Sequence, residues 1–255
     1  MKPALITHDI SARHDVPAGH PERPDRYAAI LDHIGDNYQS WQRAAAPLAE
    51  RSQLELVHSE SYLDMVFDVT GDADEPAPLD ADTWASKRGY ECASRAAGGA
   101  CLAVDMVMEK KASTAFSLMR PPGHHAEPEQ AMGFCLFSSA AIAARHAQQK
   151  WGLNRIAVID FDVHHGNGTQ ACFWNDGSLF YASSHQMPLF PGTGAYDETG
   201  AYQNIFNLPL AYGTGGSSIR SGWRDDLLPS VVAAKPDLII ISAGFDAHEA
   251  DPLGG

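Results

Sequence analysis

Short apolar, β-branched runs alternate along this chain with longer amphipathic stretches. The pattern predicts strands at Ala4–Ile6, Thr114–Leu118, Ile156–Asp160, Leu179–Ala182 and Leu238–Ser242, with a further strand near Leu54–Val57. The run Asp237-Leu238-Ile239-Ile240-Ile241-Ser242 reads as a strand buried on both faces. Helical spacing appears over Asp25–Ile34, Thr83–Lys110, Phe137–Lys150 and Ser217–Ala233. Such alternation implies an α/β fold with a mostly parallel sheet, here as one domain over residues 1–255. The Asp/Glu/Pro-rich stretch Gly71 to Asp82 reads as a surface loop.

Polar clusters recur where these strands end. Arg120-Pro121-Pro122-Gly123-His124-His125 follows one strand, and Asp160-Phe161-Asp162-Val163-His164-His165-Gly166-Asn167-Gly168 closes another. Ser183-Ser184-His185 and Ala243-Gly244-Phe245-Asp246 follow two more. Open α/β sheets bind ligands beyond the carboxyl ends of their strands, so the clusters point to one composite site.

Composition narrows the function. The chain has 255 residues, 44% hydrophobic and 20% charged, which excludes disorder and low complexity. Its formal net charge of -14 argues against a nucleic-acid partner. No apolar run approaches a membrane span, and the N-terminus turns polar too early for a secretory leader. Cys92, Cys101, Cys135 and Cys172 form no CxxC pair, so the expectation is a cytoplasmic protein with reduced thiols. Histidine is the outlier, with 12 copies and two adjacent pairs, His124-His125 and His164-His165.

In extended backbone, residues i and i+2 share a side. Asp162 and His164 can therefore reach one ion together, with Asp160 one step behind. Carboxylate and imidazole suit zinc or another first-row divalent ion, and Asp246 is a plausible third ligand. Three protein ligands leave a position open, which is the catalytic pattern. The bland alternative has Asp160 and Asp162 capping a helix that begins near Gly166. His124 and His125 follow a stiff Pro-Pro-Gly turn and are candidates for general base and general acid. Phe134 and Phe190 lie in glycine-rich loops and can wall a channel, while Cys135 reads as a buried small hydrophobe.

The segments 120–125, Gly133-Phe134-Cys135, 160–168, Phe190-Pro191-Gly192-Thr193-Gly194 and 243–255 resemble the histone deacetylase family. That family also holds acetylpolyamine amidohydrolases and acetoin-utilisation proteins. Gly19-His20-Pro21-Glu22-Arg23-Pro24 is similar to its N-terminal segment, and Asn167 to its class II branch. The resemblance implies an arginase/deacetylase-like three-layer α/β/α fold with a mostly parallel central sheet. It also implies a zinc-dependent hydrolase of acyl-lysine or related acylated amines. By motif position, Asp162, His164 and Asp246 would hold zinc. His125 would be the general base, leaning on Asn167, and His124 would pair with Asp160. Gly133, Phe134 and Phe190 would flank the acyl-lysine channel. Potassium would bind near Asp160, Asp162, His164, Ser183 and Ser184, largely through main-chain oxygens. Leu253 stands where the family's rim residue helps choose the substrate. A glutamate there would hold the second ammonium of a polyamine, so leucine implies a preference for acyl-lysine.

The family's last strand and its oxyanion-donating tyrosine have no counterpart before Gly255, and Tyr212 precedes the Asp246 strand, so it takes no such role. The expectation is a C-terminally incomplete chain, with roughly 50 or more residues absent. Loss of one oxyanion donor would lower the rate by about 100- to 1000-fold. Two other readings stay open: an arginase-like C–N hydrolase of a small acylated amine, and a truncated acyl-lysine binder without turnover. The single Asp-x-Asp-x-His-His with Asn167 after it favours one catalytic metal over a pair.

Overall fold

The computed structural model describes residues 1–72 and 75–254. Ala73 and Asp74, inside the stretch read as a loop, and the terminal Gly255 lie outside them. The chain folds as two compact units, Met1–Ala147 and Gln148–Gly255.

In the first unit β1 (Ala4–Thr7) is followed by α1 (Pro24–Asn37), β2 (Gln42–Ala45), α2 (Arg51–Leu54) and α3 (Glu60–Asp72). Next come β3 (Ala77–Pro78), β4 (Trp84–Ala85), α4 (Gly89–Met108), β5 (Ala115–Ser117) and α5 (Ser139–Trp151), which continues into the second unit. The sheet order is β2-β1-β5 and both pairings are parallel, as the alternation implied. Ala4, Leu5 and Ile6 are buried in its central strand. Leu63, Val66, Ala93, Ala97, Leu136, Phe137 and Ile142 make one apolar cluster.

The strand expected near Leu54–Val57 is absent: the segment is the end of α2 and a turn. A capping box made by Glu50 and Gln53 satisfies the first-turn amides there and commits the backbone to helix. The second strand is β2 instead, whose alternating exposure and polar Gln42-Arg43 hid it. The helix expected from Thr83 begins at Gly89, because Trp84–Ala85 pairs antiparallel with Ala77–Pro78. Part of the stretch read as a loop is therefore strand.

His58 ties this unit together. Its Nδ1–H donates to Pro128 O at 3.1 Å, and its Nε2 accepts from Ser138 N at 3.0 Å. Burial pushes this imidazole down to about 4, partly opposed by hydrogen bonds to the Pro128 and Glu127 carbonyls. Burial, then the Arg120 charge, pushes His14 down to about 3. Both remain neutral in the fold while the unfolded chain takes up protons below roughly pH 6.5, so their stabilisation is complete above that pH and lost as pH falls. Each histidine is expected to remove about 2 kcal/mol between roughly pH 6.5 and 5. Urea unfolding across this range should show the fall, and His58→Gln should make it shallower; an unchanged slope would assign the lability elsewhere.

The second unit holds β6 (Ile156–Asp160), α6 (Asn167–Phe173), β7 (Leu179–Gln186), β8 (Ile205–Leu210), α7 (Gly216–Gly222), α8 (Leu228–Ala234) and β9 (Leu238–Ser242). A π-helical turn, Trp223–Leu227, joins α7 to α8, so the helical run expected over Ser217–Ala233 is continuous. The sheet order is β8-β7-β6-β9, all parallel. Ala157, Phe180, Ala182, Leu227 and Val231 form its apolar cluster.

Two expectations are corrected here. Ser183, Ser184 and His185 lie inside β7 rather than after it, because β7 continues past the end of β6 to pair with β8 as far as Gln186. β9 is not buried on both faces: Ile239 is 48% and Ile241 60% exposed. Among the described residues β9 pairs only with β6, and one of its faces has no covering layer. No helix among the described residues is long and apolar enough to cross a membrane. Cys92, Cys101 and Cys135 are buried and Cys172 is half-buried.

Candidate metal centre

Asp162, His164 and Asp246 converge at the carboxyl ends of β6 and β9. One ligand atom from each lies within 4.8 Å of the others. The local backbone builds half of this. Asp160 Oδ1 accepts from Asp162 N at 3.2 Å, and Asp162 Oδ1 accepts from His164 N at 2.9 Å. Each carboxylate thus holds the amide two residues on, which turns the chain and sends Asp162 and His164 to one side. Helix α6 has Gly166 at its N-cap and no side-chain cap, so the helix-capping alternative for Asp160 and Asp162 fails.

The other half comes from β9. Asp246 Oδ1 accepts from Val163 N at 2.9 Å, and its Oδ2 lies 2.9 Å from His164 Nδ1. His164 Nδ1 is also 3.1 Å from Asp162 Oδ1. Burial lowers the imidazole, but its hydrogen bonds to Asp162 and Asp246 and the charges of both outweigh this and push His164 up to about 9. Two carboxylates aimed at one imidazole nitrogen form an electron-rich pocket for a cation, and the donor set fits a first-row divalent ion. Gly244 makes room for it: a Cβ at that position would overlap Asp162 Oδ2 and stand 2.5 Å from its Cγ.

Asp160 is wholly buried, and its Oδ2 accepts from Tyr181 OH at 3.1 Å. The same hydroxyl accepts from Gly166 N at 3.0 Å. Burial, then the Asp160 charge, keeps this phenol protonated far above its usual range. Asn167 is buried as the first residue of α6. The Phe190 ring is 6.4 Å from that of His164 and 38% exposed. Leu253 is 37% exposed, its N–H given to Asp251 Oδ1. Ser183 Oγ donates to His185 Nδ1, while Ser184 Oγ accepts from Trp223 Nε1.

The first unit holds the other adjacent histidine pair. His124 and His125 are both buried, their ring centroids 3.9 Å apart. Phe134 takes a positive φ of 69°, unusual for an aromatic residue. Its N–H donates to Thr83 Oγ1 at 2.9 Å, and the His20 ring meets its ring edge-on at 4.9 Å. His20 and Thr83 thus support Phe134, although no motif marked Thr83 in the sequence. Cys135 is buried, as expected.

The sequence profile of the histone deacetylase domain matches residues 20–255. The histone deacetylase-like amidohydrolase of Pseudomonas aeruginosa is 38% identical over 92% of this chain. Histone deacetylase 10, chloroplastic, of Oryza sativa subsp. japonica is 37% identical over 92% of it. The chain spans 63% and 58% of the respective lengths of these two relatives. The crystal structure of the HDA15 HD domain superposes with a TM-score of 0.91 at 35% identity, covering 100% of this chain and 75% of that one. The fold is therefore the arginase/deacetylase-like α/β fold that the motifs implied. A profile that matches from His20 onward, and a solved relative that follows the backbone over its whole length, lead to one conclusion: the chain belongs to the histone deacetylase family.

Proposed function

We propose that this chain is the site-bearing part of a metal-dependent deacetylase that removes acyl groups from lysine side chains. The observation that carries the reading is the convergence of Asp162, His164 and Asp246 at two strand ends. Relatives named deacetylase and amidohydrolase support hydrolysis of an acyl C–N bond. A zinc ion held by the three residues would supply Lewis acidity toward the acyl carbonyl and toward water. His125 is assigned the uptake of a proton at its imidazole, and His124 the balancing charge. Asp160 and Asn167 are assigned supporting roles for these histidines. Gly133, Phe134 and Phe190 are assigned to the acyl-lysine channel. Potassium is proposed at the main-chain oxygens of Asp160, Asp162, His164, Ser183 and Ser184; Asp160 stands opposite Ser183 in the β6–β7 register, which supports their sharing one ion. Four cysteines with no CxxC pair among them suit a reducing cytoplasm.

Leu253 sets the expected substrate. An alkyl side chain at the rim cannot pair with a second ammonium, so a peptide carrying acetyl-lysine should be turned over faster than N-acetylspermidine. Steady-state kinetics of the zinc-loaded chain on both substrates tests this. Faster turnover of N-acetylspermidine would reverse the substrate assignment. Turnover of neither by a folded, zinc-replete chain would leave acyl-lysine binding without catalysis.

A further inference from the structure

His165, the second histidine of its pair, has no part in the metal cluster, yet it is 1% exposed. Its partners settle its state. Gln170 Nε2 donates to Glu198 Oε2 at 2.6 Å, which leaves Gln170 Oε1 as an acceptor. That oxygen lies 3.0 Å from His165 Nε2 and 2.7 Å from Asn207 Nδ2, so His165 Nε2 carries the proton. His165 Nδ1 then accepts from Thr193 Oγ1 at 2.8 Å. Thr193 belongs to the loop that carries Phe190. The adjacent Gly194 is held at two points and Ala195 at one: the Gly194 carbonyl accepts from His185 Nε2 at 2.9 Å, and Glu198 accepts from Gly194 N and Ala195 N at 3.1 Å each. Gly194 has φ +90°, and a Cβ there would overlap His185 and stand 2.6 Å from the His165 ring. Thr193 Oγ1, both main-chain polar groups of Gly194 and the Ala195 N–H are thus held by His165, His185 or Glu198.

We propose that His165, Gln170 and Glu198 are positioning residues that tether the loop Met187–Glu198 and so fix the Phe190 ring beside His164. The physical reason is the cost of leaving any member unmade. Gln170 and His165 are buried, so breaking one link strands a desolvated donor or acceptor, and the links therefore hold or fail together. Glu198 is suited to this use because a carboxylate accepts all three N–H groups offered to it, whereas an amide would have to turn a donor toward one of them. The consequence for substrate rests on the deacetylase reading above: a fixed Phe190 lowers the ordering needed to bind an acyl chain and should act on KM rather than on the chemical step.

The test uses Glu198→Gln and Thr193→Val in the full chain, with Thr193→Ser as the conservative control. Hydrogen exchange is followed at Gly194 and Ala195, and kinetics on an acetyl-lysine peptide with zinc content checked throughout. In both variants exchange at these amides should rise roughly tenfold or more while β6 amides keep their protection. The KM should rise roughly tenfold with kcat within about threefold, and Thr193→Ser should restore both. Unchanged exchange overturns the tether. Faster exchange with unchanged KM overturns the role in positioning Phe190, and a fall in kcat with loss of zinc assigns the network to the metal cluster instead. If the unsubstituted chain turns over no acyl-lysine peptide, the deacetylase reading fails, and the exchange data still decide the tether by themselves.

Discussion

Asp246→Ala is expected to remove the bound divalent ion and to lower amide hydrolysis by about 1000-fold or more. Asp246 has two tasks. Its Oδ2 is the atom that the turn after β9 would offer to the ion, 2.9 Å from His164 Nδ1. Its Oδ1 fastens Val163 N, the amide between Asp162 and His164. Alanine leaves two protein ligands and frees the turn that aims them. Three ligands are the usual minimum for a catalytic zinc site, so affinity and geometry should fail together. The measurement is metal content by elemental mass spectrometry on monodisperse chain, with unfolding monitored alongside. About one equivalent in the unsubstituted chain and none in a folded Asp246→Ala is the expected result. A folded variant that retains its metal would place the ligand set elsewhere. Asp246→Asn should keep the Val163 contact and lose most of the affinity, which separates ligation from scaffolding.

The second large effect concerns a buried ion pair of the first unit. Arg120 and Glu22 form a buried pair, their side chains 7% and 2% exposed. Arg120 Nε donates to Glu22 Oε1 at 2.5 Å and Nη2 to Oε2 at 2.7 Å. The guanidinium also serves the carbonyls of Ser11, His14 and Glu22. Burial pushes the Glu22 carboxyl up, against the Arg120 hydrogen bond and charge that pull it down. Truncating either partner leaves the other buried without its counterpart. Glu22→Ala is therefore expected to cost about 3–5 kcal/mol, a large share of a net stability of about 5–15 kcal/mol. Arg120→Lys should do nearly as much harm, because an ammonium lacks the planar fork that reaches two carboxylate oxygens and the carbonyls together. Urea denaturation of the full chain measures both; a loss under about 1 kcal/mol would mean that water reaches the pair. Arg120 opens the Pro-Pro-Gly turn before His124 and His125, so the same anchor fixes where that turn starts.

Legibility in the sequence followed the range of the interactions. Asp162 and His164 were readable as a pair because i, i+2 geometry is local, and the structure adds the amide contacts that enforce it. Asp246 was readable only as a carboxylate at another strand end, since nothing local points it at His164. The roles of Gln170 and Glu198 were invisible: neither sits in a spaced motif, and each matters only through the loop it holds. His165 was conspicuous by its neighbour yet had no assignable task until Thr193 and Gln170 were seen against it. The strand expected near Leu54–Val57 failed for a local reason, the capping box, whereas β2 was missed for a distant one, its pairing with β1.

By itself the sequence determined the β-branched runs that become β1, β6, β7 and β9, the stiff Pro-Pro-Gly and glycine-rich turns, and the residue types able to bind a cation. These are consequences of backbone sterics and side-chain chemistry over a few consecutive residues. Only the tertiary structure decided that Asp246 closes the cluster, that Gly194 is wedged between His165 and His185, and that Ile239 and Ile241 lie on an uncovered face. Those outcomes depend on which strands pair and in what register. A continuously apolar run looks the same whether one of its faces is covered or both.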